Sequence, residues 1–560
     1  MRQAALACTS LTLLLVGAAP LAAQSVRGLG DDALTAPRGA IRIQMSTSIA
    51  DVSERYGKGT PGRSDGALEP LGVDFSVDTL GVRLFPGLAS LQTAIRSLTG
   101  NGAFTLSLGR SQLSSSVRVQ TTPIALEAGI TNRLSLGVLV PVVTARNQVS
   151  LNVNSGANVG NMSFNPARVF DTSVVRNTQL IDQLTTARTQ LEALIASCTA
   201  NPGSNANCGS VIASAPAVAA TATTFTAGIA AVYGTTGSNG ASFVPLAGSA
   251  ADSVILNRVG TLRTQFQQFG ITALAPTTTG PSRPSAPITP DGLQSVLPDT
   301  ALGLLAAPLG TITRQGLGDI EVAVKLRLFD AFGTRSDTMR FVPRRGLQLR
   351  QSLAGVYRFG TGTIDQPDDY LDVGTGHGQN DVELRSFTDL VYGRRFFASV
   401  IGRYTVQLAD QQPLRITDAP DLVFAPAYRE RLVDRDLGDQ LEIEFTPRWI
   451  MNDFFSIGAQ YLFRSRAEDT YRGTFTVPTS ESGLDAPLEL DANSLRFETA
   501  GTEQRVGFGL TFSSVAAHAR GKAKLPIELQ YFNSRTIAGS GGNVWRLSIH
   551  QVQIRLYPKR

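Results

Sequence analysis

Charge is scarce in this chain of 560 residues: 17% of it is Asp, Glu, Lys or Arg, and the formal net charge is +5. No Lys/Arg-rich run concentrates that small excess, so nucleic-acid binding has no electrostatic footprint. Imidazole is scarcer still, with His377, His518 and His550 alone. Neither a Gly-x-Ser-x-Gly elbow nor a His-Glu-x-x-His helix occurs. The expectation is therefore a protein that is not an enzyme and takes no cofactor and no metal. The acidic stretch DQPDDYLD at 365–372 lacks EF-hand spacing and reads as a solvated loop. Beyond residue 24 no run supplies the ~20 consecutive apolar residues of a membrane helix.

What is present sets the compartment first. Arg2 precedes an apolar stretch from Ala4 to Ala19, and the small residues Ala22 and Ala23 precede Gln24. That is the order of a secretory signal peptide cleaved near Ala23. Cys198 and Cys208 are the mature cysteines, and they enclose the turn-like stretch TANPGSNAN. In an oxidising compartment the pair is expected to close a disulfide across a helical hairpin; the rival metal site has no third ligand nearby.

The second half of the chain alternates with period two. In GDIEVAVKLRLF, Ile320, Val322, Val324, Leu326 and Leu328 share one side, and Asp319, Glu321, Lys325 and Arg327 share the other. QLEIEFTPRW and DFFSIGAQYLFR repeat the pattern across a short turn at Asn452 and Asp453, and DVELRSFTDLVYG pairs with RRFFASVIGRYTVQL around Gly393. Soluble sheets alternate too, but these segments are long, and short turns alternate with long polar links. Aromatics at strand ends (Tyr392, Phe396, Trp449, Phe455, Trp545, Tyr557) suit interfacial girdles. The expected fold is all-β: an antiparallel transmembrane β-barrel of about twelve strands with a helical, Ala/Thr/Gly-rich insertion, in the bacterial outer membrane. The expected strands are 103–111, 118–130, 133–150, 317–330, 346–359, 381–392, 395–409, 438–450, 454–466, 501–513, 525–534 and 544–557. A further strand around Ile41, Ile43 and Met45 would raise the count, and a β-bulge near His550 would reconcile the two phases of the last strand.

The expected organisation is a signal peptide at 1–23, an N-terminal segment at 24–101, first barrel strands in 102–154, an insertion at 155–316 and the remaining strands in 317–560. Short turns of such barrels are periplasmic, which makes the insertion extracellular. Within 83–99, apolar residues at three- and four-residue spacing predict a short amphipathic helix that caps the periplasmic mouth or lies on the membrane. Further helices are expected from Thr172 or Ser173 to about Ala196 and from Ser253, with a Pro-rich linker at 276–287.

If the apolar side faces lipid, the lumen receives the acids Asp319, Glu321, Asp381, Glu383, Asp389, Glu442, Glu444 and Glu528. It also receives Lys325, Arg327, Arg350, Arg358, Arg385, Arg403, Arg448, Arg464 and Arg505. Isolated charges in a narrow lumen are costly, so pairing across the lumen is expected.

PIALEAGITNRLSLGVLVPVV at 123–143, GLGDIEVAVKLRL at 316–328 and DVGTGHGQNDVEL at 372–384 resemble signatures of an outer-membrane family, that of the MetA pathway of phenol degradation. The resemblance implies a membrane barrel related to transporters of hydrophobic or aromatic compounds, with no catalytic residues; the long insertion departs from the family's compact pattern. Two functions follow as expectations. One is a porin-like passive channel for small molecules. The other is a structural or surface-interaction barrel that displays the insertion. The partners are the lipid bilayer, the outer-membrane assembly machinery and a small-molecule solute.

Overall fold

The computed structural model describes residues 32–57, 65–156, 159–203, 207–302, 304–331, 346–393, 395–417, 424–482, 486–519 and 521–557. The expected signal peptide and the terminal Pro558-Lys559-Arg560 lie outside them. The chain divides into two compact units.

The first unit holds residues up to Asp74, Leu113–Ser150 and Ala306 onward, and it is a β-barrel. Its strands are β1 (Ile41–Val52), β2 (Ser111–Gly129), β3 (Leu134–Val153), β4 (Ile312–Leu317), β5 (Ile320–Asp330), β6 (Leu347–Phe359) and β7 (Asp381–Tyr392). They continue as β8 (Phe396–Gln407), β9 (Gln440–Ile450), β10 (Phe455–Arg466), β11 (Gly501–Ser513), β12 (Ile527–Ser540) and β13 (Ser548–Leu556). Apart from β4 and β5, which do not pair with each other, each pairs with its neighbour in sequence, β1 pairs antiparallel with β13, and the sheet closes on itself. β4 and β5 both pair with β3 and share one position, so the barrel is twelve-stranded.

Side-chain exposure sets the two faces. Val322, Val324 and Leu326 are 41–45% exposed on the outside, whereas Glu321 beside them is 4% exposed inside. An apolar outer wall, a polar inner wall and no free edge are what lipid demands of a sheet, because every backbone donor must be paired internally. This is an outer-membrane barrel. Tyr392, Phe396, Trp449 and Phe455 stand exposed at the strand ends beside the short turns, as a girdle should. The turns are made locally. Asn452 Oδ1 accepts from the amides of Phe454 and Phe455, each at 2.9 Å, and Thr131 Oγ1 accepts from those of Arg133 and Leu134. Gly393 supplies a φ of +62° between β7 and β8.

Four expectations are corrected. Residues 103–110 form no barrel strand; the position goes to β1, which closes the barrel against β13. No bulge lies at His550, since the register runs unbroken from Ile43↔Leu556 to Asp51↔Ser548. The mixed phase of the last strand has another cause. Leu547 and Ile549 face inward, into an apolar cluster with Ala50, Val52, Val117, Val119, Val143 and Ala145, and Trp545 packs on it. Trp545 and the buried Tyr557 therefore leave the girdle.

The second unit, Phe75–Gln112 with Leu151–Leu305, is mainly helical. It contains α1 (Ala89–Thr99), α2 (Asp171–Ala200), α3 (Cys208–Tyr233) and α4 (Ala250–Gln268). Leu180, Leu184, Ala187 and Leu191 bury one stripe of α2, at the spacing of a helix face. A Cβ on Gly228 of α3 would stand 3.0 Å from Leu98 Cδ1, so α1 packs on α3 at a residue with no side chain. The helix within 83–99 therefore belongs to this unit. Ser249, rather than Ser253, caps α4 by accepting from the amide of Asp252. The stretch expected as a linker folds back on α2, where Gln183 accepts from Ala275 N and Thr278 Oγ1 and Asn177 accepts from Ser282 N. Cys198 and Cys208 are disulfide-bonded. By length and composition α3 is apolar enough to cross a membrane, although its Ala/Thr-rich run lacks ~20 consecutive apolar residues.

Candidate functional site

The inner wall of the barrel carries the sequence-predicted charges, and they pair along the wall rather than across the lumen. Arg358 on β6 donates to Glu321 on β5 (2.8 Å) and to Asp381 (2.5 Å) and Glu383 (3.0 Å) on β7. Arg385 donates to Glu321 at 2.8 Å and also to Glu383. Arg403 on β8 reaches Glu442 (2.6 Å) and Glu444 (2.9 Å) on β9. Arg464 on β10 bridges Glu442 and Glu503, and Arg505 holds Glu503 at 2.6 Å. Inward residues on adjacent strands are close enough for a guanidinium to span, so the ladder closes without a cross-lumen partner.

The remaining predicted residues separate from this ladder. Arg327 and Arg350 gather on Asp330 near the short turns, and Arg350 also lies 3.8 Å from Asp389. Lys325 lies 4.2 Å from the Phe387 ring centroid, and Arg448 lies over Phe397. Glu528 takes Arg555 at 3.4 Å. Asp319 is not on the wall. It sits at the break between β4 and β5, where it accepts from the amides of Gly362 (2.8 Å) and His377 (3.3 Å).

That break ties together two motifs far apart in sequence. A Cβ on Gly376 would collide with the Asp319 carboxylate, and one on Gly318 would crowd Pro141 and Thr375. Thr375 Oγ1 donates to Leu317 O and Thr361 Oγ1 to Gly318 O. The glycines of GTGHG thus let link 360–380 lie against the Gly-Asp break. His377 is buried there, with Nε2 3.1 Å from Asp381 Oδ2 and Nδ1 accepting from Gln379 N. The link is held further by Arg415, which donates to Tyr370 Oη (3.0 Å) and Ala425 O, and by Arg435, which donates to His377 O.

A segment that sequence reasoning did not place lies inside the barrel. Ala33 is fully buried against Ala354, Phe387 and Ile401. Ala33 N donates to Asp389 Oδ2 (2.9 Å), Ser352 Oγ donates to Ala33 O (2.5 Å), and Lys325 Nζ donates to Asp32 O (2.6 Å). Ala36 N donates to Glu127, and a side chain on Gly129 would run into the carbonyls of Ala36 and Pro37. Beside this segment is a cavity of about 130 Å³ lined by Leu139, Ala354, Val356 and Phe387 and by Arg42, Glu127, Glu321, Lys325 and Arg385. The inward apolar residues had no period-two signal, because their strands are apolar on both faces there. The signal that could have pointed to it is the polar inward positions Glu127, Ser352 and Asp389, on three different strands.

No family model matches this chain, and no curated protein matches it. Solved structures do. An outer membrane channel from Pseudomonas putida F1 aligns over 95% of this chain and 100% of its own, at 7% identity and a TM-score of 0.40. The Pseudomonas putida toluene transporter TodX aligns over 92% and 89%, at 9% identity and 0.24. A Pseudomonas aeruginosa FadL homologue aligns over 97% and 99%, at 7% identity and 0.28. At these scores no property of this chain is taken from them; the barrel stands on its own strand pairing.

Proposed function

We propose that this protein is a gated outer-membrane channel for small, mainly apolar or aromatic solutes. The observation that carries the reading is the segment at 32–37, which occupies the lumen beside a cavity with an aromatic and aliphatic wall. Its backbone bonds go to side chains on several different strands rather than to a strand edge, so it is removable without opening the barrel. The orientation we assign puts the short turns, the start of β1 and the end of β13 in the periplasm and the long links outside, and it places residues 155–305 on the extracellular side. The resemblance to the phenol-degradation family agrees with an apolar solute. The protein catalyses no reaction in this reading, and it reaches the membrane through the outer-membrane assembly machinery.

Planar-bilayer recording tests it. The full mature protein should conduct weakly, and a variant lacking residues 24–37 should show larger, discrete steps. A second reading, a structural barrel displaying the helical unit, draws on the packed wall, where Arg403, Glu442 and Glu444 are 0–2% exposed. It is favoured if the shortened variant, still folded, remains closed.

A further inference from the structure

Arginine on the lipid-facing wall points to a specific lipid. Among the described residues of the barrel strands β1–β13, Asp51, Arg118, Arg146 and Arg535 are the charged side chains that face outward; the other charges of these strands belong to the inner wall. They lie on β1, β2, β3 and β12, a contiguous arc of the barrel interrupted only by β13. The register links them: Asp51 pairs with Arg118 and with Ser548, and Ser548 pairs with Arg535. Arg118 Nε donates to Asp51 at 2.6 Å. Arg146 and Arg535, both exposed, make no side-chain hydrogen bond or ion pair among the described residues. The wall elsewhere differs, since β8 presents Phe396, Val400, Tyr404 and Val406 outward to its far end.

The depth of these residues selects the partner. At about 3.3 Å per residue and a tilt near 40°, Arg118 and Arg146 stand roughly 30 Å from the short-turn ends of their strands, and Arg535 roughly 20 Å. The apolar band of such a barrel is about 25 Å tall, so the first two sit at its far edge and Arg535 reaches that edge by extending its stem. In the orientation proposed above, that edge is the outer leaflet, which in a bacterial outer membrane consists of phosphorylated glycolipid. Guanidinium is the side chain that matches phosphate geometry with two parallel bonds. We infer that the β3–β2–β1–β13–β12 arc binds the phosphorylated glycolipid of the outer leaflet, with Arg146 and Arg535 holding phosphate and Arg118 neutralised by Asp51.

The full mature protein, delipidated in detergent and titrated by native mass spectrometry, tests this. The probes are bisphosphorylated lipid A, fully dephosphorylated lipid A and phosphatidylglycerol. Bisphosphorylated lipid A should bind the wild type, and the R146Q/R535Q variant, its fold checked by heat-modifiable migration, should bind it at least tenfold more weakly. D51N, which removes the one outward acid among the described residues of the barrel strands and frees Arg118, should bind more tightly. The inference is overturned if R146Q/R535Q binds within twofold of wild type, if D51N weakens binding, or if dephosphorylated lipid A or phosphatidylglycerol binds equally well. Binding in detergent does not depend on which end faces outward; epitope labelling of intact cells reads the orientation separately.

Discussion

At the scale of the residue, the barrel depends on which face a side chain occupies. Val324 is 45% exposed on the outer wall and pairs in register with Gly355. Val324→Arg should cost roughly 2–4 kcal/mol near the bilayer midplane, read as a lower unfolding midpoint in lipid vesicles. Ala323, on the inner wall beside the cavity, should accept Ser with a much smaller shift; equal sensitivity at both sites would mean two apolar faces. The paired charges follow a different rule. Arg358 serves Glu321, Asp381 and Glu383 at once, so Arg358→Met leaves buried carboxylates facing one another. Breaking a buried pair in this way costs about 3–5 kcal/mol. Arg448→Met, which loses only a contact over Phe397, should leave the urea midpoint nearly unchanged. If the two variants unfold alike, the wall ladder contributes nothing to stability.

At the scale of the element, link 360–380 is where pH should act. Burial pushes the Asp365 carboxyl up to about 7; Asp372 and Asp369 add to the rise, while the Gly374 amide and Arg435 oppose it. An unfolded Asp releases its proton near ~3.9, so the folded link binds that proton more tightly. Its contribution to stability is present at low pH and is lost as pH rises toward and through about 7. Proteolysis within 360–380 should therefore accelerate from about pH 4 to pH 7, the window that separates the two values, and level off above it. Asp365→Asn should flatten the profile; an unchanged slope would place the titration elsewhere. In the helical unit, the Cys198–Cys208 bridge closes a short loop between α2 and α3. Removing it with Cys198→Ser and Cys208→Ser should destabilise that unit by about 2–3 kcal/mol. The variant should still assemble as a heat-modifiable barrel, with its helices cut sooner by added protease. Failure to assemble would mean that the two units fold together.

At the scale of the whole molecule, the meander closes because its first and last strands pair, which joins Ile43 to Leu556 across the length of the chain. Every connection then falls at one of two ends, and the ends are distinguishable on living cells. An epitope placed in 424–437 or 486–497 should be labelled on intact cells, and one at 521–524 only after permeabilisation. The reverse pattern would invert the proposed orientation and move the outward arginines to the inner leaflet, where the lipid they are proposed to bind is absent.

The sequence by itself determined the export of the chain as an expectation, the barrel class, and strands β2, β3 and β5 to β13 to within a few residues except at the ends of β2, β12 and β13. Period-two alternation reports which face meets lipid, and turn residues such as Asn452 report where a strand reverses; both are local signals. It also singled out the ionic wall, since Glu321, Arg358, Glu383 and Arg403 stand opposite an apolar face in their own strands. Tertiary structure alone decided the partners. A guanidinium pairs with whatever carboxylate the neighbouring strand sets beside it, and period two carries no information about register. It also decided that residues 32–37 enter the lumen, that Leu547 and Ile549 turn inward, and that the Gly-Asp break meets the GTGHG link. Each of those contacts joins segments distant in sequence, and closing such loops leaves no periodic trace in the residues that make them.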